Sequence, residues 1–391
     1  MKFAAIIAGV ALVVSVAEAG EVGRFRPATP NYVVLKVPAS ASNDPIAVLE
    51  QRRAQDPENE ALASGLAQLY LVRARAEREQ RYFARAEALV RPWAGSEGAR
   101  ASTLRVQADV LQNRHDFSGA MVLLNRAVAL DPRDAEAKLM RASVKLVQGH
   151  AFEARADCAS VLVTGESATG TICLAQVLGA TGGLTRANAL LESLLLRGQN
   201  LHDPGGTMPA TVRAWALWLL ADFSDRAGDP RSAEIALRAA LEAAPENEGI
   251  RSALSDLLLA RGAPREALAM VDLRAPSVGL LARRARAEQL LRDPALVATN
   301  AQIQDLVALS NRRGDRPHLR EEAFIALDVE HDAARALEFA KANFEIQRET
   351  IDVRLLVRAA RASGDNAALR AVSKWIHDTG YEDHELTGIG T

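Results

Sequence analysis

Trp215 and Trp218 stand three residues apart, and Asp222 and Asp225 follow one and two turns further along. At helical spacing these two indoles and two carboxylates share one face, which is binding chemistry: aromatic area beside negative charge. Two readings stand, a partner-contact patch or large rings filling a core. Groups suited to covalent or acid–base work do not assemble in this way. The seven histidines, His115, His150, His202, His318, His331, His377 and His384, form no H-x-x-x-H pair and no Cys/His set with zinc spacing. His115 and His150 fall in equivalent turns and read as solvated turn residues. Gly165-Glu166-Ser167-Ala168-Thr169 lacks the second glycine of a nucleophile elbow, and Thr181-Gly182-Gly183 lacks the Lys-Ser/Thr ending of a phosphate loop. The Glu321-Glu322 pair reads as solvated helix surface. No catalytic residue, metal site or cofactor is expected, and the chain reads as a non-enzyme.

Cys158 and Cys173 are the only cysteines. They fall near the ends of two consecutive expected helices, so they read either as one disulfide or as two small buried apolar residues.

The elements that would carry these residues follow from a register. Ala86, Ala120, Ala154, Ala187, Ala233 and Ala267 recur at spacings of 34, 34, 33, 46 and 34, and a small residue precedes each by 12: Ala74, Ala108, Ala142, Ala175, Ala221 and Ser255. A period near 34 with two helices per unit means that no unit buries its apolar face alone, so neighbours stack into one extended core. Each unit is an A helix, a turn and a B helix, with the two small residues where the helices approach. Leu124, Cys158, Leu191, Leu237 and Val271, four residues after the register alanine, extend the apolar stripe. The breakers Gln148-Gly149-His150, Thr181-Gly182-Gly183, Ala227-Gly228-Asp229-Pro230 and Arg261-Gly262-Ala263-Pro264 mark turns within pairs. Asp131-Pro132 and Ala244-Pro245 end B helices. With 49% hydrophobic, 25% charged and 4% aromatic residues, an all-α fold is expected. The net charge of −2, with both signs interspersed, argues against nucleic acid as a partner.

The fragment Asp116-Phe117-Ser118-Gly119-Ala120, continuing through Leu124 and Ala127 to Leu130-Asp131-Pro132, resembles the second-helix signature of the tetratricopeptide repeat family. Ala233 through Leu237, Ala240 and Pro245 resembles it again, and the likeness spans roughly residues 67 to 275. It implies a right-handed α-solenoid of stacked helix-turn-helix repeats whose A helices line a concave, partner-binding face. Carried over, that face comprises Arg75, Arg105, Asp109, Gln112, Ser143, Gln176, Trp215, Trp218, Asp222 and Asp225. The paired Lys and Asn that hold a C-terminal carboxylate in the best-known members are matched here by Arg105 with Asp109 and Trp218 with Asp222, so such a clamp is not expected. The first-helix aromatic residues usual in the family are mostly aliphatic here.

Residues 1–19 run from Lys2 through an apolar stretch, Phe3 to Val16, to Ala17-Glu18-Ala19, the pattern of a cleaved export signal. About 15 apolar residues fall short of the roughly 20 that span a bilayer, so no stable membrane insertion is expected after cleavage. A proline-rich arm occupies 20–44, with a short strand expected at Tyr32–Val37 that either docks loosely or pairs with a partner's edge. The repeat array covers 45–275, degenerate helical repeats and a cap 276–380, and a flexible tail 381–391. About 12 residues, Gly198 to Pro209, are inserted just before the tryptophans, either as a cover for them or as a plain excursion. The expected function is an exported adaptor, periplasmic if the source is a Gram-negative bacterium, that binds a peptide segment or protein in its groove. The alternatives are an accessory subunit of an envelope assembly that uses its outer surface, and a small-ligand-binding or hydrolytic protein that uses the 198–209 loop.

Overall fold

The structure, a computed structural model, describes residues 44–77, 80–197, 208–271, 276–313 and 318–389. The signal-like segment, the arm before residue 44, His202 with residues 198–207, and the last two residues lie outside the described residues. Among the described residues there are helices and no strand. Helix α1 (Pro45–Gln55) precedes nine pairs: α2 (Glu60–Glu77) with α3 (Gln80–Val90), α4 (Ala101–Asn113) with α5 (Phe117–Leu130), and α6 (Ala135–Val147) with α7 (Ala151–Val163). Next come α8 (Ser167–Ala180) with α9 (Leu184–Arg197), α10 (Ala210–Arg226) with α11 (Pro230–Ala243), and α12 (Glu248–Ala260) with α13 (Pro264–Met270). The last are α14 (Val278–Leu291) with α15 (Leu296–Arg313), α16 (Leu319–Phe324, running on into one π turn at Ile325–Val329) with α17 (Ala333–Phe344), and α18 (Thr350–Ser363) with α19 (Asn366–Thr379).

Local chemistry starts and stops these helices where the register requires. Asp116, Asp134, Asp229, Asn247, Asp332 and Asp365 each accept a hydrogen bond from the backbone N–H three residues on, occupying a donor that the helix leaves unpaired. The turns inside the pairs need one left-handed residue: Gly149, Gly182, Gly228 and Gly262 supply it at φ of 75–84°, and His115 takes the same conformation at φ 56°. All six register alanines and their six small partners are at most 2% exposed, as the close crossing of paired helices demands. Packing between successive pairs is as tight: on α8, a methyl at Gly170 would lie 2.5 Å from the Leu162 backbone of α7.

The even-numbered helices pack against one another along the inner layer and the odd-numbered ones form the outer layer. The array also returns on itself. Ile346 packs against the cluster of Ala108, Phe117, Ala120, Leu124 and Val144, and the Arg348 N–H donates to the Val147 carbonyl at 2.7 Å. Gly149 lies beside Arg348 and Trp375, Gly182 beside Gly380, and Gly228 beside the His384 ring. The last two pairs and the chain after them therefore dock on the turns of the pairs from α4–α5 to α10–α11. This corrects the expectation of a flexible tail from residue 381. Tyr381, Leu386 and Ile389 are buried in an apolar cluster with the returning helices, and Asp383 is buried against Arg354.

Candidate binding surface

The inner helices place the expected contact residues in two groups. The first group forms a polar ladder over α2, α4 and α6. Arg75 on α2 is paired with Asp109 on α4. One step along, Arg105 on α4 lies 2.8 Å from Asp134 and 2.9 Å from Glu136 at the start of α6, and donates to Gln68 on α2 at 3.3 Å. The Gln68 amide in turn donates to Glu136 at 3.1 Å. Beside this ladder opens a cleft of about 650 Å³ lined by Gly98, Arg100, Ser102, Arg105, Leu130 and Asp134, among others. Arg105 belongs to both, so ladder and cleft are continuous. Alternating donors and acceptors with an exposed apolar residue, Leu130 (57% exposed), at the rim suit the backbone amides and side chains of an extended polar chain.

The second group is engaged within the molecule. Trp215 and Trp218 are half-buried and packed into the core. Trp215 lies against the cluster around Cys158, Cys173 and Val177, while Trp218 covers Gly249 so closely that a methyl there would fall 2.6 Å from the ring. The indoles thus bridge α10 to the inner helix on either side. Asp225 pairs with Arg354 of α18. Asp222 lies 3.4 Å from Arg226, and burial pushes its carboxyl above the usual carboxylate range against the pull of Arg226, the Thr350 hydroxyl and Arg354. Both carboxylates therefore face α18 rather than an open groove, a contact 129 residues apart in sequence for Asp225 and Arg354 that spacing does not reveal. Gln112, Ser143 and Gln176 are half-buried on α4, α6 and α8.

Sequence reading missed Gln68, Glu136 and Asp134 as members of the ladder. Asp134 caps α6, and its second duty to Arg105 depends on how α4 and α6 sit side by side. Cys158 of α7 and Cys173 of α8 are joined by a disulfide with Cα atoms 5.3 Å apart, tying the third pair to the fourth. Among the described residues no group of three or more His, Cys, Asp or Glu is placed to hold a metal, and no helix is long and apolar enough to cross a membrane.

His115 is not a solvated turn residue. The start of α16 and the α17–α18 turn close over it, and its ring meets Phe117 edge-on at 5.7 Å. Burial lowers its pKa below the ordinary histidine value, Arg320 and His318 push the same way, and Glu321 and the Gln347 hydrogen bond oppose. A histidine whose folded pKa is depressed takes up its proton more readily unfolded, so its contribution is present at neutral pH and lost as pH falls below about 6.5. His115→Asn, which tolerates a positive φ, is expected to remove that part of the pH dependence. Thermal melts of both proteins between pH 7.5 and 5 should converge at the acid end, and parallel curves would show that His115 does not titrate with folding.

No protein-family model matches this chain, and no curated protein does. Solved structures that match include a thermophilic TPR protein of Thermus thermophilus, 20% identical over 52% of this chain and 97% of that one, with a TM-score of 0.38. A tetratricopeptide repeat protein of Parabacteroides merdae is 12% identical over 75% and 98% of the two chains, at 0.38. Human IFIT1, solved as a dimer with PPP-AAAA, is 13% identical over 85% and 84%, at 0.43. At scores this low these likenesses carry no argument about a ligand or an activity.

Proposed function

We propose that this protein is an exported, non-catalytic repeat scaffold that holds an extended polar segment of a partner protein along α2, α4 and α6. The observation that supports this most is the continuity of the Arg75–Asp109 and Gln68–Arg105–Glu136 ladder with the cleft at Leu130. Stacked helices hold these groups in place before the partner arrives, so little ordering entropy opposes docking. Export rests on the signal pattern in residues 1–19, and the compartment would be the periplasm in a Gram-negative source.

The test is crosslinking in the native envelope with the full chain tagged, compared with an Arg75→Glu/Leu130→Glu variant. Both side chains are more than half exposed, so the variant keeps its fold. Recovery of one dominant partner is expected to fall at least tenfold in the variant with unchanged helical circular dichroism. A partner retained in the variant, or none at all, would overturn the reading. One observation favours an outer-surface subunit as the second reading: Val122, Phe152 and Ile235 on the outer helices α5, α7 and α11 are 62–63% exposed. A partner lost in Val122→Glu/Ile235→Glu and kept in the Arg75→Glu/Leu130→Glu variant would establish that reading instead.

A further inference from the structure

The chain after α19 lies in a cleft whose walls are the α8–α9 and α10–α11 turns on one side and α18 on the other. The lining is donor-rich, with Arg226 and Arg354 set beside the carboxylates of Asp222 and Asp225. Arg226 is 3% exposed and donates from Nε to the Glu382 carbonyl at 3.0 Å, while Arg354 holds Asp383 at 2.8 and 3.0 Å and lies 3.1 Å from Glu385. The backbone N–H of Leu184, at the start of α9, donates to the Glu382 carboxylate at 3.1 Å. The Tyr381 ring sits under the Arg226 guanidinium at 4.0 Å and beside Trp375 at 5.1 Å, and its hydroxyl donates to Thr350 Oγ1 at 2.8 Å. Tyr381 and Asp383 are buried and the intervening Glu382 and following His384 are exposed, the alternation of an extended segment read by a groove. A 3-10 turn at His384–Leu386, capped by the Asp383 carboxylate, shapes the middle of the segment, and the cleft holds the residues on either side of it.

We propose that this cleft is a peptide-binding site in its own right, selective for an extended acidic segment led by an aromatic residue, and that Tyr381–Leu386 occupies it in cis. The aromatic is selected by the cation–π contact and the hydroxyl bond, and the acids by Arg354 and the α9 N-terminus acting together. A competing segment of the same chemistry on a partner enters by displacing the strap. The site is separate from the α2–α4–α6 surface, so the two proposals stand or fall independently.

The probe is a labelled synthetic peptide of residues 380–389, followed by fluorescence anisotropy with three full-length proteins. The wild-type chain is expected to bind it at least tenfold more weakly than a Tyr381→Ala/Asp383→Asn chain, because a tethered occupant competes at millimolar effective concentration. Adding Arg354→Gln to that chain should abolish binding, and a peptide carrying Asp383→Asn should bind at least tenfold more weakly. Equal affinity for wild type and strap variant, no binding to a strap variant of native helicity, or indifference to Arg354→Gln would each overturn the proposal. Should the strap variant lose its helicity, hydrogen exchange of the wild-type protein decides. Amides of 381–389 are expected to exchange at least tenfold faster than those of α8–α11, and exchange at the same rate would make the strap an inseparable part of the fold.

Discussion

Arg226→Ala is expected to destabilise the protein by about 3 kcal/mol. The guanidinium is 3% exposed and serves three acceptors: the Gly179 carbonyl on α8, the Glu382 carbonyl and the Asp222 carboxylate. It also covers the Tyr381 ring. Truncation leaves two carbonyls short of a donor and removes the strongest charge opposing the desolvation of Asp222. Because 28% of the Asp222 side chain remains exposed, water recovers part of the loss, which places the estimate at the low end of the range for a broken buried pair. The sign with pH follows. Without Arg226 the Asp222 carboxyl rises further above its unfolded value, a penalty present above the folded pKa and absent below the unfolded one. The deficit of the variant should therefore shrink as pH falls towards 4. Urea unfolding at pH 7 and pH 4.5 measures both, and a deficit under 1 kcal/mol at pH 7 would show that Arg226 does not anchor the returning segment.

Removing the Cys158–Cys173 bridge is expected to cost a similar amount. The bond closes a loop of 15 residues, for which the chain-entropy model gives about 3 kcal/mol. Both cysteines are essentially inaccessible, so Cys158→Ala, Cys173→Ala and the double variant each add a small cavity but share the loss of the same bond. The three variants should accordingly have nearly equal unfolding midpoints well below wild type, and the wild type under reducing agent should approach them. Additive single-variant effects, or two titratable thiols in the oxidised protein, would show that the residues act as separate core side chains.

What could be read from the residues in order, and what could not, divides along the range of the interactions. The register alanines mark contacts between helices adjacent in sequence, and they are buried in all six units. The caps at Asp116, Asp229 and Asp365 likewise act within one helical turn. The inner-face ladder was half legible: Arg75, Arg105 and Asp109 were expected on that face, whereas Gln68 and Glu136 have no local signature. The tryptophans illustrate the limit. Their spacing placed them on one helical face, but whether that face met α8 and α12 or solvent depended on neighbours that no motif announces.

The sequence by itself determined an all-α array of helix pairs, because a repeat's period, small residues and turn chemistry are nearest-neighbour properties that each unit carries in full. Only the tertiary structure decided that the array returns on itself. It paired Asp225 with Arg354, buried His115 under α16, and seated the segment from Tyr381 against turns up to 198 residues earlier. The rotation between successive pairs is small and set by packing, and it accumulates over nine of them. No stretch of sequence records that sum, and the contacts it brings about are made by side chains with ordinary local roles.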